Sequence, residues 1–177
     1  MSKSLPLFIR ILCTLLFTGT INYVTAQNLK LTDFAIWGGG AAPNSYNSAQ
    51  GVFINNNANI QGNIGSNHLL NIANNLTIKG SLYSGNNIVL GNNAIITGNT
   101  YANRMGTNVS PTIFGGTNVA ITGDLTANGK ISLSSGKISG KVAVPAPAAS
   151  NYTGPAPSGG VVTTFNLPLM PSMPNNT

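Results

Sequence analysis

The sequence predicts an all-β protein, a single-stranded triangular β-helix (solenoid) with about eighteen residues per coil. Three observations predict it. A short motif, aliphatic-x-Gly-x-aliphatic, begins at Ile60, Ile78, Ile121 and Ile138, and a fifth copy at Ile96 has Thr100 in the last place; glycine lies two places on at Gly62, Gly80, Gly98, Gly123 and Gly140. Successive leading isoleucines are separated by steps of eighteen, eighteen, twenty-five and seventeen. Finally, Gly, Asn and Thr crowd every window, which disfavours helix throughout.

Other columns keep the same register. Val52, Leu70, Ile88 and Ile113 stand eight residues before a leading isoleucine, and Ile54, Ile72 and Leu90 stand six before, with Gly115 the exception. Asn56, Asn74 and Asn92 share a column, as do Asn57, Asn75 and Asn93. Alternation of aliphatic residues over three to five positions indicates short strands with one buried face. Three such strands and three bends make a coil, and stacked coils put like residues in ladders. Gly and Asn suit the bends because they accept positive φ at low cost, and stacked amides can hydrogen-bond along a ladder. The long step reads as one coil plus a seven-residue insertion around residues 101–110.

The segments around the repeat follow in chain order. Lys3 and Arg10 precede an apolar run over residues 11–17, and a small, polar stretch ends in Val24, Thr25 and Ala26. This pattern predicts a signal peptide over residues 1–26, cleaved after Ala26. The apolar run is far shorter than the roughly 20 residues that span a bilayer, so no membrane span is expected in the mature chain. Residues 27–47 form an expected N-terminal cap, with Phe34, Ile36 and Trp37 laid over the open core. Residues 48–144 are the solenoid. Residues 145–177 hold seven of the ten prolines and read as an extended tail or linker, with residues 161–169 able to lie along the rod. Such an ending fits the front of a longer chain or a short native tail, and both readings stay open.

Composition narrows the chemistry. Only 6% of the residues are charged, against roughly 25% in ordinary soluble domains. The acids are Asp33 and Asp124, His68 is the one histidine and Cys13, within the expected export signal, the one cysteine. Paired-carboxylate, Cys–His and metal-cluster chemistries need residues that this inventory lacks. After cleavage six basic residues face two acids, a net charge of +4. Lys130, Lys137 and Lys141 cluster without interleaved aromatics, so a solvated face is expected rather than a nucleic-acid site. His68 is expected at an exposed corner, Asp124 in an outward, solvated slot, and Asp33 in a local turn of the cap.

The repeat, Ile-x-Gly-Asp/Asn-aliphatic-x-Ala/Ser at that period, resembles the bactofilin type of polymer-forming, right-handed β-helix. Phe34, Ile36, Trp37 and Gly39, followed by Ile60, Gly62, Ile64 and Gly65, are similar to the opening of secreted ice-binding-like β-solenoids. Domains of that kind also stand at the front of bacterial surface adhesins. The resemblance covers residues 31–144 and implies a solenoid. Two features depart from it: bactofilins are cytoplasmic, whereas an export signal is expected here, and the long helix beside ice-binding-like solenoids has no counterpart in this chain. Left-handed hexapeptide acyltransferases place glycine one residue after the aliphatic position; here it lies two after, so right-handed winding is expected.

The function expected is a non-catalytic, secreted or cell-surface rod, structural or adhesive, presenting a flat uncharged Asn/Ser/Thr face to a surface, a glycan or a neighbouring rod. No cofactor, metal or nucleic-acid partner is expected. Ice binding ranks below it, because Gln61 and Lys79 interrupt the column that holds Thr97 and Thr122. A polysaccharide-active β-helix enzyme ranks lower still, since Asp124 has no second acid for acid–base work.

Overall fold

The computed structural model describes residues 28–39, 51–104 and 111–171. The expected export signal, part of the cap segment, residues 105–110 of the expected insertion and residues 172–177 lie outside the described residues.

After a single 3-10 turn, Leu31–Asp33, comes strand β1 (Phe34–Gly38). Three strands per coil follow: β2 (Gly51–Ile54), β3 (Asn59–Gln61) and β4 (Asn63–Ser66); then β5 (Leu69–Ile72), β6 (Thr77–Lys79) and β7 (Leu82–Ser84). The third coil is β8 (Ile88–Leu90), β9 (Ile95–Ile96) and β10 (Thr100–Ala102), and the fourth β11 (Ile113–Gly115), β12 (Val119–Ile121) and β13 (Leu125–Ala127). The fifth is β14 (Ile131–Leu133), β15 (Gly136–Ile138) and β16 (Val142–Ala143). A one-turn helix α1 (Ala148–Asn151) and strands β17 (Tyr152–Thr153) and β18 (Val161–Val162) close the order.

Every strand pairs in parallel with its equivalent one coil away. Sheet I runs β1-β4-β7-β10-β13-β16-β18, sheet II β2-β5-β8-β11-β14-β17, and sheet III β3-β6-β9-β12-β15. The three sheets enclose a triangular core, a solenoid of about six turns with 18-residue coils.

Register explains why the columns recur. In sheet III Ile60 faces Ile78, Ile78 faces Ile96, Ile96 faces Ile121 and Ile121 faces Ile138. The last four are buried, while Ile60 at the N-terminal end is partly open. Each fully buried aliphatic side chain contributes about 1.5–3 kcal/mol. At Gly115, the exception in its column, the Leu133 side chain fills the space: a Cβ there would run into Leu133 Cδ2. Another break in pattern is Thr100, buried between Leu82 and Leu125 with its hydroxyl unpartnered.

The bends divide the labour between Gly and Asn. Asn57, Asn75, Asn93 and Asn118 adopt φ between 57° and 63°, the left-handed region. Their amides also pair along the rod, Asn93 Nδ2 donating to Asn75 Oδ1 and Asn118 Nδ2 to Asn93 Oδ1. Asn56, Asn74 and Asn92 do different work: each Oδ1 accepts a backbone N–H one coil on, from Asn74, Asn92 and Thr117 respectively. The Gly column is mostly a matter of space rather than of positive φ. A Cβ on Gly80, Gly98, Gly123 or Gly140 would run into the carbonyl oxygen of the glycine before it in the column.

Two terminal segments differ from expectation. Phe34, Ile36 and Trp37 do not plug the core together, because β1 is a strand that extends sheet I beyond β4. Side chains alternate along a strand, so Ile36, opposite Ile64, packs on the core while Trp37, opposite Gly65, stands on the outer face. The Pro-rich segment does not end the pairing. Tyr152 pairs with Ile131 and Val161 with Val142, and backbone bonds from Val142 and Val144 to the carbonyls of Gly160 and Val162 complete a further partial coil. Proline fits there because the outermost coil has a neighbour on one side only. The chain then returns along the rod, and Leu169 bridges to Asn28 beside β1.

Candidate functional site

A triangular rod offers three outer faces, and here they differ. Sheet III presents Asn59, Thr77, Ile95, Ala120 and Lys137 in one register row. Gln61 and Lys79 face each other in a second row, with Thr97, Thr122 and Ser139 following the paired isoleucines. Sheet II presents Phe53, Asn71, Val89, Phe114, Ser132 and Thr153, none of them charged. Phe53 is 52% exposed and Phe114 48%, with Asn71 and Val89 on the two rungs between them.

Sheet I is built otherwise. Its outer row is Trp37, Gly65, Tyr83, Tyr101, Thr126, Ala143 and Val162. The bare Gly65 leaves room for Trp37 and Phe34, whose ring atoms lie where its Cβ would be. Ring centroids run Trp37–Phe34 4.6 Å, Phe34–Tyr83 5.4 Å and Tyr83–Tyr101 5.2 Å, the last pair stacked at 21°. Such contacts contribute about 0.5–1.5 kcal/mol each beyond the area they bury. Burial pushes both tyrosine hydroxyls above their usual pKa, and for Tyr101 the neighbouring Tyr83 adds to this. Tyr101 Oη accepts a hydrogen bond from Asn99 Nδ2 at 3.0 Å.

Past Tyr101 the outer row drops to Thr126, and a half-open recess of about 350 Å³ forms. Asp124 and Lys141 edge it, and the returning chain at Thr164, Phe165 and Asn166 closes its far side. Asp124 is not simply solvated, as its outward slot suggests. Its Oδ1 accepts the Lys141 N–H at 3.0 Å, and its Oδ2 lies 3.6 Å from Lys141 Nζ. This continues a ladder in which Asn63, Ser81 and Asn99 each accept a backbone N–H one coil on. A carboxylate serves because the ladder needs only an acceptor.

His68 is buried, against the expectation of an exposed corner. Gly39, just after β1, packs against it: a Cβ on Gly39 would lie 3.2 Å from His68 Cδ2. His68 donates its N–H to Ser66 Oγ and its carbonyl accepts from Ser84 Oγ, while Nδ1 has no partner. Asp33 does close a local turn, its Oδ2 accepting the Lys30 N–H at 2.8 Å. Among the described residues no three His, Cys, Asp or Glu side chains converge as a metal site, and no helix is long and apolar enough to cross a membrane.

The predicted core, Gly and Asn positions therefore fall in three ladders inside and at the bends, and Phe34 and Trp37 join the aromatic row. Tyr83, Tyr101 and Phe165 are the functional candidates that sequence reasoning passed over. Tyr83 and Tyr101 stand one period apart, so the repeat itself carried their signal. Compared with known protein families, curated proteins and solved structures, the chain matches none.

Proposed function

We propose that this chain is a non-catalytic, exported structural and adhesive rod that works by presenting a flat, uncharged face to a solid surface, a glycan or a neighbouring rod. The observation that carries the reading is the outer face of sheet II, where Phe53 and Phe114 stand exposed among Asn71, Val89, Ser132 and Thr153. A rigid ladder holds these side chains in fixed order, so contact with a flat partner costs little further ordering entropy. The Asn71 amide between the rings and the Ser132 and Thr153 hydroxyls beyond Phe114 let the same face stay hydrated when it is free.

The test is adsorption of the purified protein to cells, glycan arrays and solid surfaces, together with its self-association by sedimentation. We expect retention on at least one of these, weakened tenfold or more in a Phe53→Ser/Phe114→Ser double variant with an unchanged circular dichroism spectrum. Retention that ignores both substitutions removes sheet II as the contact face. Absence of any adsorption or self-association removes the reading.

A further inference from the structure

The recess on sheet I carries a second inference, independent of the sheet II face. We propose that it is a binding site for one unit of a neutral saccharide, stacked against Tyr101.

Three features of the recess select that class of ligand. The first is a rigid aromatic platform. Tyr101 is stacked on Tyr83 at 5.2 Å, and Tyr83 meets Phe34, so the ring that ends the row is held from behind. Its other side faces the next rung of the ladder, where Thr126 replaces the aromatic. The step from ring to small side chain leaves a recess beside the half-buried Tyr101, floored by Thr126 and bounded across from it by Phe165, an aromatic-walled shape that receives the C–H face of a sugar ring.

The second feature is the balance of polar groups. Asp124 supplies an acceptor, Lys141 a donor, and Thr126 and Asn166 supply groups of both kinds, all on the lining of one recess. Vicinal hydroxyls need donors and acceptors together, which a purely apolar or purely cationic pocket does not offer. The Tyr101 hydroxyl accepts from Asn99 and keeps its own hydrogen to donate.

The third is charge. The one carboxylate and the one ammonium lie 3.6 Å apart and compensate each other, so the recess has no excess charge to attract a uronate, sulfate or phosphate. An anion would have to compete with Asp124 for Lys141. Its volume of about 350 Å³ lies at the small end of ligand sites. Rungs repeat about every 4.8 Å along the rod, close to the length of one hexose in an extended glycan. A chain laid parallel to the rod axis would keep one unit over Tyr101 and Thr126.

The experiment is calorimetric titration of the full chain with neutral hexasaccharides (β-1,4- and β-1,3-glucan, α-1,4-glucan, β-1,4-mannan, chitin) and, in parallel, with polygalacturonate oligomers and inorganic phosphate. We expect a neutral oligosaccharide to bind, with affinity falling at least tenfold in Tyr101→Ala and at least threefold in Lys141→Met, an exposed position whose substitution leaves the core untouched. If Tyr101→Ala fails to fold, Thr126→Trp, which fills the recess, and Asn166→Ala replace it, and both should abolish or weaken binding. Binding of the anionic probes with none of the neutral ones overturns the proposal, as does neutral binding that none of these variants alters, or no binding by any probe. Each outcome is read apart from the sheet II variants, so adsorption that persists in Tyr101→Ala leaves the adhesive reading standing while the saccharide site falls.

Discussion

The bend between sheets II and III and the bend between sheets I and II do the same geometric job under different rules. From the last core position of sheet II to the isoleucine ladder the chain takes six residues in four successive coils, Ile54 to Ile60, Ile72 to Ile78, Leu90 to Ile96 and Gly115 to Ile121, and five in the last, Leu133 to Ile138. Between sheets I and II the same measure is four residues from Ser66 to Leu70, Ser84 to Ile88 and Ala127 to Ile131, but eleven from Ala102 to Ile113. Helix α1 also falls in this second bend, between β16 and β17. Expected at residues 101–110, the insertion in fact begins after Ala102, since Tyr101 stays in its ladder between Tyr83 and Thr126.

The chemistry of the two bends explains the contrast. At the II–III bend Asn56, Asn74, Asn75, Asn92, Asn93 and Asn118 accept from or donate to the equivalent residue one coil away, and the left-handed Asn sets the turn. A coil of another length would lose those bonds. At the I–II bend some bonds repeat, the N–H of His68 and of Asn86 donating to Ser66 and Ser84 Oγ and Asn128 Nδ2 donating to Asn103 Oδ1. Others have no equivalent one coil on, such as Ser84 Oγ to the carbonyls of His68 and Asn87, or Asn87 Nδ2 to the Pro111 carbonyl. Several buried atoms there, His68 Nδ1 and the side-chain oxygens of Asn86 and Asn87, have no partner at all. Period is kept along the rod where an unbroken run of side-chain ladders joins coil to coil, and length variation collects where that run is mixed with bonds found in one coil only.

Insertions break the comparison most directly. Two residues, Gly-Ser, placed after Asn92 should interrupt both Asn columns and the isoleucine register, and we expect loss of cooperative unfolding in a urea titration followed by circular dichroism. The same pair placed between Asn128 and Gly129 lengthens the I–II bend, where a longer loop costs only about 0.6 kcal/mol per doubling. Equal damage from the two insertions would remove the distinction. A smaller effect is expected from Asn93→Ala, which loses two amide contacts and puts at φ 57° a residue that tolerates the left-handed region less well than asparagine. We expect about 1–3 kcal/mol, partly recovered in Asn93→Gly, which restores the backbone freedom but not the amide. The least is expected of Ser81→Ala, which removes one acceptor for the Asn99 N–H at 3.0 Å: about 1 kcal/mol, seen as a shifted midpoint at constant slope.

Much of the fold was legible because its information is periodic. Ile78, Ile96, Ile121 and Ile138 share a wall for the same reason that they share a column. The Tyr83–Tyr101 stack was legible on the same terms, since an outer row has the period of an inner one, although the eye follows aliphatic residues first. His68 was not legible: one of the groups packed against it is Gly39, which lies beyond any repeat. Nor were β17 and β18, two residues each. No pattern that short announces a strand, and they pair because the coil before them offers an open edge.

Spacing alone thus settled which side chains meet along the rod, because a residue and its equivalent one coil on are joined by a fixed length of chain. Which outer face stays bare and which is closed over was decided by contacts without a period. Asn28 and Leu169 meet across almost the whole described chain, and Phe165 and Asn166 come to rest beside Tyr101 and Asp124. Those meetings depend on the shape that the finished rod presents to its own ends, and no repeat in the chain encodes them.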